Sequence, residues 1–156
     1  MAKKEKLGAS SLRSHIGYRM RIVSNAVSHS FARKLAVHDV TVAEWVILRE
    51  MYSGDETTSP SKIAEITGLT RGAISKLIER LLQKGLLTRT ESAGDRRYQD
   101  IKLTAIALKL VPKLASIADE NDKSFFSVLS KVDRKKLMEI LMKLAELHKL
   151  NINPIK

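Results

Sequence analysis

Between Thr70 and Gly85 the chain meets every local requirement of an α-helix at once. Thr70 can cap the first turn; Ile74, Leu77, Ile78, Leu81 and Leu82 recur at i, i+3, i+4, i+7 and i+8; Gly85 supplies a left-handed stop. Past Gly85 the period changes. Residues 86–91 and 98–103 are short runs compatible with strands, Ile101 and Leu103 alternating against Asp100 and Lys102, and SAGDRR between them predicts a hairpin with a basic tip. Upstream, Ser59 and Pro60 are the N-cap and first position of a short helix over 60–67 that stops at Gly68, with Leu69 filling the turn. Helix, turn, helix and hairpin in direct succession over residues 60–103 is the order of a winged helix-turn-helix.

Long amphipathic stretches flank this unit. One runs over 12–36, where Leu12, Ile16, Val23, Val27 and Phe31 recur at helical spacing with Arg19, Arg21, Arg33 and Lys34 between them. A second helix follows through Met51: Thr41 and Glu44 form a capping box, and Trp45, Leu48 and Met51 face inward. GDETTSP then breaks the pattern. After Thr104 a stretch to about residue 128 carries Ile106, Leu110, Leu114, Ile117, Phe125 and Val128, with Pro112 in its interior predicting a kink. Ser130 and Asp133 signal a last helix with Leu137, Ile140, Leu141, Leu144 and Leu147, and residues 151–156 are expected to fray. The chain thus reads as mainly α with a small β-hairpin wing. Its divisions are a disordered basic tail (1–10), a helical region in two pieces (11–40 and 104–150) and a winged helix-turn-helix domain (41–103). In a chain of 156 residues, end helices that long cannot bury their stripes inside one small domain, and a two-fold partner is the common solution.

The formal charge of +11 suggests a polyanionic partner. Residues 1–40 hold 8 basic and 2 acidic side chains, residues 41–56 hold 1 and 4, residues 57–104 hold 9 and 5, and residues 105–156 hold 10 and 6. That spread also suits ordinary solvated helix faces, so the motifs decide. The absence of cysteine excludes disulfides, thiolate metal sites and thiol redox sensing. His15, His29, His38 and His148 show no i, i+4 pair and no H-E-x-x-H, so no metal is expected. The chain carries no phosphate-cradling glycine loop and no G-x-S-x-G, and Asp119, Glu120 and Asp122 are most simply a solvated acidic stretch, so neither an enzyme nor a cofactor is expected. With no apolar run long enough to cross a bilayer and no secretion signal at the start, the expected location is the cytoplasm.

The face of the 70–84 helix opposite its apolar stripe shows Arg71, Gly72, Ser75, Lys76, Glu79, Arg80 and Lys84. A major groove accepts one helix, and Arg, Lys and Ser can bond guanine acceptors or phosphates there. Gly72 lets the first turn approach closely. At the hairpin tip Arg96 and Arg97 can reach an adjacent minor groove, with Asp95 holding one arginine extended through a charge-assisted bond. The expected partner is double-stranded DNA.

Three strings, TVAEWVIL, IAEITGLTRGAISKLIERLLQKGLLTR and DRRYQDIKLT, appear in this order, the last fitting a D-x-R wing signature that leads into Leu-Thr. Over residues 40–107, and more loosely over the whole chain, the sequence resembles the multiple-antibiotic-resistance regulator (MarR) family of winged-helix transcription factors; LVPKLASIADENDKSFFSVLS also looks like one branch of it. The resemblance implies a homodimeric repressor on a pseudo-palindromic operator, with the first and last two helices of each subunit interleaved. It implies that Arg97 enters the minor groove and that Arg96 contacts phosphate. Two positions depart from the family pattern: Ala107 stands where glycine is frequent, and Gly72 where many relatives carry a larger residue, which puts base readout from that spot in doubt. The resemblance also implies release by a small aromatic or phenolic ligand, for which His15, Tyr18, Arg19 and Trp45 are the residues that offer a cation or imidazole and flat apolar surface. Each also has a plain explanation, Trp45 as a core residue and His15 and Arg19 as solvated side chains. Two competing classes are a non-sensing architectural DNA-binding protein and a membrane-surface module using the basic first helix.

Overall fold

The computed structural model describes residues 8–91 and 99–151. A 3-10 turn at Leu12–Ser14 leads into helix α1 (Ile16–Ala36), followed by α2 (Val42–Ser53), a two-residue strand β1 (Thr57–Thr58), α3 (Pro60–Thr67), α4 (Arg71–Gln83), the strands β2 (Leu87–Glu91) and β3 (Gln99–Leu103), and the helices α5 (Ala105–Phe125) and α6 (Lys131–Leu147). The tail over residues 1–7, the hairpin tip with Asp95, Arg96 and Arg97, and the last residues, 152–156, lie outside the described residues.

The helix starts follow from local chemistry. The side chains of Thr41, Ser59, Thr70, Thr104 and Ser130 each accept a hydrogen bond from a backbone N–H in the first turn of the helix they precede, and Glu44 reciprocates at the Thr41 amide to complete a capping box. Gly68 and Gly85 end α3 and α4 at φ of 68° and 69°, the left-handed region in which a side chain costs roughly 1–2 kcal/mol. The expected hairpin is present, with Leu87 opposite Leu103 and Arg89 opposite Ile101.

Apart from α1, which opens at Ile16 behind a 3-10 turn and an extended His15 rather than at Leu12, two features differ from expectation. GDETTSP holds a strand: Thr57 and Thr58 pair antiparallel with Lys102 and Ile101, so the sheet has three strands in the order β1-β3-β2. Two residues are too few to display an alternation, which is why the run reads as a break. Second, α5 stops at Phe125, three residues early, with Pro112 inside it. Pro112 is exposed, on the side turned from the core, and the edge-to-face pair of Phe125 and Phe126, 5.0 Å between centroids, marks the turn out of the helix.

One apolar cluster joins the end of α1 (Leu35) to α2 (Ile47, Leu48, Met51), α3 (Ile63), α4 (Ile74, Leu77, Ile78, Leu81), the sheet (Leu87, Ile101, Leu103) and α5 (Ala107, Val111, Leu114). Each fully buried Leu or Ile contributes about 1.5–3 kcal/mol. Within the α1–α5 packing sits one buried amide: Asn121 donates to the Val27 carbonyl at 3.3 Å and accepts from the Ser30 hydroxyl at 2.8 Å, which fixes the register of the two helices. The apolar stripe of α1 meets this core only at its C-terminal half, where Val27 and Phe31 are half-buried, while Leu12, Ile16 and Val23 are exposed. Helix α6 buries no residue at all.

Thr70 is solvent-exposed and its hydroxyl binds the Ala73 amide at 3.2 Å. Replacing Thr70 with Ala is expected to lower unfolding stability by about 1 kcal/mol in urea titration without DNA, and Thr70→Asp to retain it.

Candidate nucleic-acid interface

Helix α4 divides cleanly. Ile74, Leu77, Ile78 and Leu81 are buried, while Arg71, Gly72, Ser75, Lys76, Glu79 and Arg80 are exposed on the other side. Spacings of three and four place these on one ridge. Among the described residues no carboxylate lies within salt-bridge distance of Arg71, Lys76 or Arg80, so three cations stand free on the ridge. A Cβ built on Gly72 meets only open space, so the backbone there is accessible from outside.

The ridge borders two clefts. One lies between α4 and the sheet, lined by Pro60, Ser75, Lys76, Glu79, Arg89 and Gln99 over a floor of Ile78 and Ile101. Across it Arg89 on β2 donates to Glu79 at 2.9 Å. Both side chains are about half-exposed, so the pair orients the hairpin against α4 more than it stabilises the fold. The other cleft separates α4 from α3, where Arg71 and Ser75 face Pro60 and Ser61. Sequence reading placed Glu79 on the ridge but missed its partner, because Arg89 is opposite Ile101 in a strand whose outward face only the register reveals.

Lys84 departs from the expectation of a DNA contact. Its ammonium turns back into the protein, donating to both oxygens of Glu44 at 2.9 and 3.2 Å and to the Asp39 carbonyl at 2.6 Å. Glu44 is fully buried, so its charge must be matched from within, and that requirement outweighs a distant phosphate. The wing residues Asp95, Arg96 and Arg97 lie outside the described residues.

The four residues considered for a small ligand are not brought together within one subunit. The His15 ring lies 3.3 Å from the Ser10 hydroxyl and 3.2 Å from the Leu12 carbonyl, Arg19 donates to the Arg13 carbonyl at 2.8 Å, and Tyr18 is half-buried on the first turn of α1. Trp45 packs edge-on against Phe31, 6.1 Å between centroids and at 79°. From Tyr18 to Phe31 is about 20 Å along the helix, too far for one small molecule to span. Trp45 is part of the packing around the core.

Comparison with known proteins agrees with this geometry. Residues 38–97 match the sequence profile of the MarR family. Among solved structures, the DNA complex of Staphylococcus aureus MepR is 27% identical with a TM-score of 0.74, over 85% of this chain and 97% of that one. The organohalide-sensing regulator RdhR in its 2,4-dichlorophenol-bound form is 17% identical with a TM-score of 0.80, over 99% and 95%. BpsR of Bordetella bronchiseptica, whose DNA binding is regulated by 6-hydroxynicotinic acid, is 22% identical with a TM-score of 0.75, over 88% and 98%. The latter two share the fold. With the helix order, the three-stranded sheet and the profile match over residues 38–97 in agreement, the chain carries a winged-helix domain of the MarR family, a family of transcription regulators.

Proposed function

We propose that this regulator binds duplex DNA as a homodimer, each subunit laying α4 in a major groove, and acts as a repressor released by a small aromatic ligand. The observation that carries the DNA reading is the ridge of Arg71, Ser75, Lys76 and Arg80, exposed beside the hairpin with its cations unpaired among the described residues. Of the solved relatives, the MepR complex contains DNA. Lys76 contacts phosphate, Arg71, Ser75 and Arg80 meet base edges, and Gly72 permits close approach of the first turn. From the wing, Arg97 enters the minor groove, Arg96 contacts phosphate and Asp95 orders them. With a duplex selected from a randomised pool, Lys76→Ala is expected to weaken binding and make the slope of log affinity against log salt shallower by about 0.9. Arg97→Ala is expected to weaken binding substantially while leaving the dimer intact. A selected duplex bound no better than random sequence at equal salt would instead support an architectural protein.

The homodimer reading rests on what one subunit leaves uncovered. Leu141, Leu144 and Leu147 on α6 are 40%, 39% and 71% exposed, and Ile16 on α1 is 78% exposed. Monomeric proteins rarely leave an apolar face of this extent in water. In this reading residues 11–40 and 104–150 form the dimerisation region and residues 41–103 the DNA-binding domain. Light scattering should give the mass of two chains for the wild type and one chain for Leu141→Asp/Leu144→Asp.

The ligand reading rests on relatives: RdhR was solved with 2,4-dichlorophenol bound, and BpsR is regulated by 6-hydroxynicotinic acid. An aromatic acid or phenol that binds the folded state raises the melting temperature. Linkage then requires duplex affinity to fall by the same factor by which DNA weakens the ligand. A thermal-shift screen of aromatic acids and phenols followed by DNA titration tests this, and a stabilising compound that leaves DNA affinity unchanged excludes it as the effector.

A further inference from the structure

We propose that Lys84 is a positioning residue, its ion pair with Glu44 anchoring the C-terminal end of α4 to the junction of α1 and α2 and setting the angle at which α4 meets DNA. The proposal rests on the DNA-binding reading above.

An ammonium group has three protons to donate, and Glu44 Oε1, Glu44 Oε2 and the Asp39 carbonyl receive bonds at 3.2, 2.9 and 2.6 Å. None is left for a phosphate. The acceptors belong to two other elements. Asp39, held at φ 56°, ends α1 together with a bond from the Val40 amide to the Leu35 carbonyl, and Glu44 is locked at the start of α2 by the Thr41 amide at 3.0 Å. Just beyond, the Thr104 hydroxyl donates to the Gly85 carbonyl at 2.7 Å and the Thr104 amide to the Leu86 carbonyl at 3.1 Å, tying the same end of α4 to the start of α5.

Helix α4 is therefore tethered by polar bonds at its C-terminal end, whereas Thr70 and Arg71 at the other end are exposed. Arg71 lies about 20 Å from the joint at 1.5 Å per residue. A tilt of about 5° at the joint displaces it by more than about 1 Å, beyond the tolerance of a specific contact. Because the tethers run to the α1–α2 junction and to the start of α5, a change in how α1 and α5 sit is delivered to the C-terminal end of α4 through them.

The test uses full-length Lys84→Met and Glu44→Gln/Lys84→Met, with a duplex that the wild type selects from a randomised pool. Lys84→Met is expected to lower the melting temperature without DNA by roughly 5–10 °C, since it strands a buried carboxylate. It is also expected to bind the duplex about tenfold more weakly at fixed salt, with the wild-type salt slope. The double variant should recover most of both losses, because a neutral glutamine needs no cation and still closes the capping box. A Lys84→Met slope shallower by about 0.9 with an unchanged melting temperature would overturn the proposal, since the ammonium would then be a phosphate contact. A wild-type chain that enriches no duplex overturns the DNA reading and this proposal with it. The two failures are distinct, because the first requires a bound duplex.

Discussion

A carboxyl group with no access to solvent, Glu44, joins the elements at the centre of this molecule. Glu44 is fully buried, and taking such a group out of water costs several kcal/mol unless its oxygens are matched. Here they are matched by the Thr41 amide and by Lys84. Penalty and Coulombic gain are of similar size, so the consequence of the pair lies in geometry: one group serves the start of α2, the end of α4 and, through the Asp39 carbonyl, the end of α1.

Two other polar joints continue that frame. Thr104 caps α5 while donating back to Gly85, so the same side chain begins α5 and closes the helix proposed for the DNA groove. Asn121 and Ser30 do the same between α5 and α1 in an otherwise apolar contact. Apolar packing is tolerant of sliding, whereas these bonds are directional, so they define how the elements sit. The exposed ridge of α4 is held in place by groups that are themselves hidden.

Much of this was legible because it is local. A helix start depends on one side chain and amides two or three residues away, so Thr41, Ser59, Thr70 and Ser130 could all be identified in order. The face of α4 followed from spacing alone, since its stripe at 74, 77, 78 and 81 is the buried one. What escaped is non-local. Lys84 looked like one more cation on a basic ridge because its partner lies forty residues upstream, where Glu44 already had a sufficient explanation as a capping residue. Thr57 and Thr58 became a strand only because β3 offered them an edge. Trp45 reads with two roles open, and the contact that the fold gives it is with Phe31, far along the chain from either sequence neighbour.

Taken by itself, the sequence determined the order of the helices and most of their capped starts, the hairpin and the side of α4 that faces water, since each depends on interactions a few residues long. It also determined that the terminal helices carry more apolar surface than one small domain can cover. Tertiary structure decided which cations are free and which are bound, the third strand, and the separation of His15, Tyr18 and Arg19 from Trp45 along α1. The physical reason is that charge pairing and sheet pairing are set by distance in space, and the chain brings together groups that no reading of neighbours along it can connect.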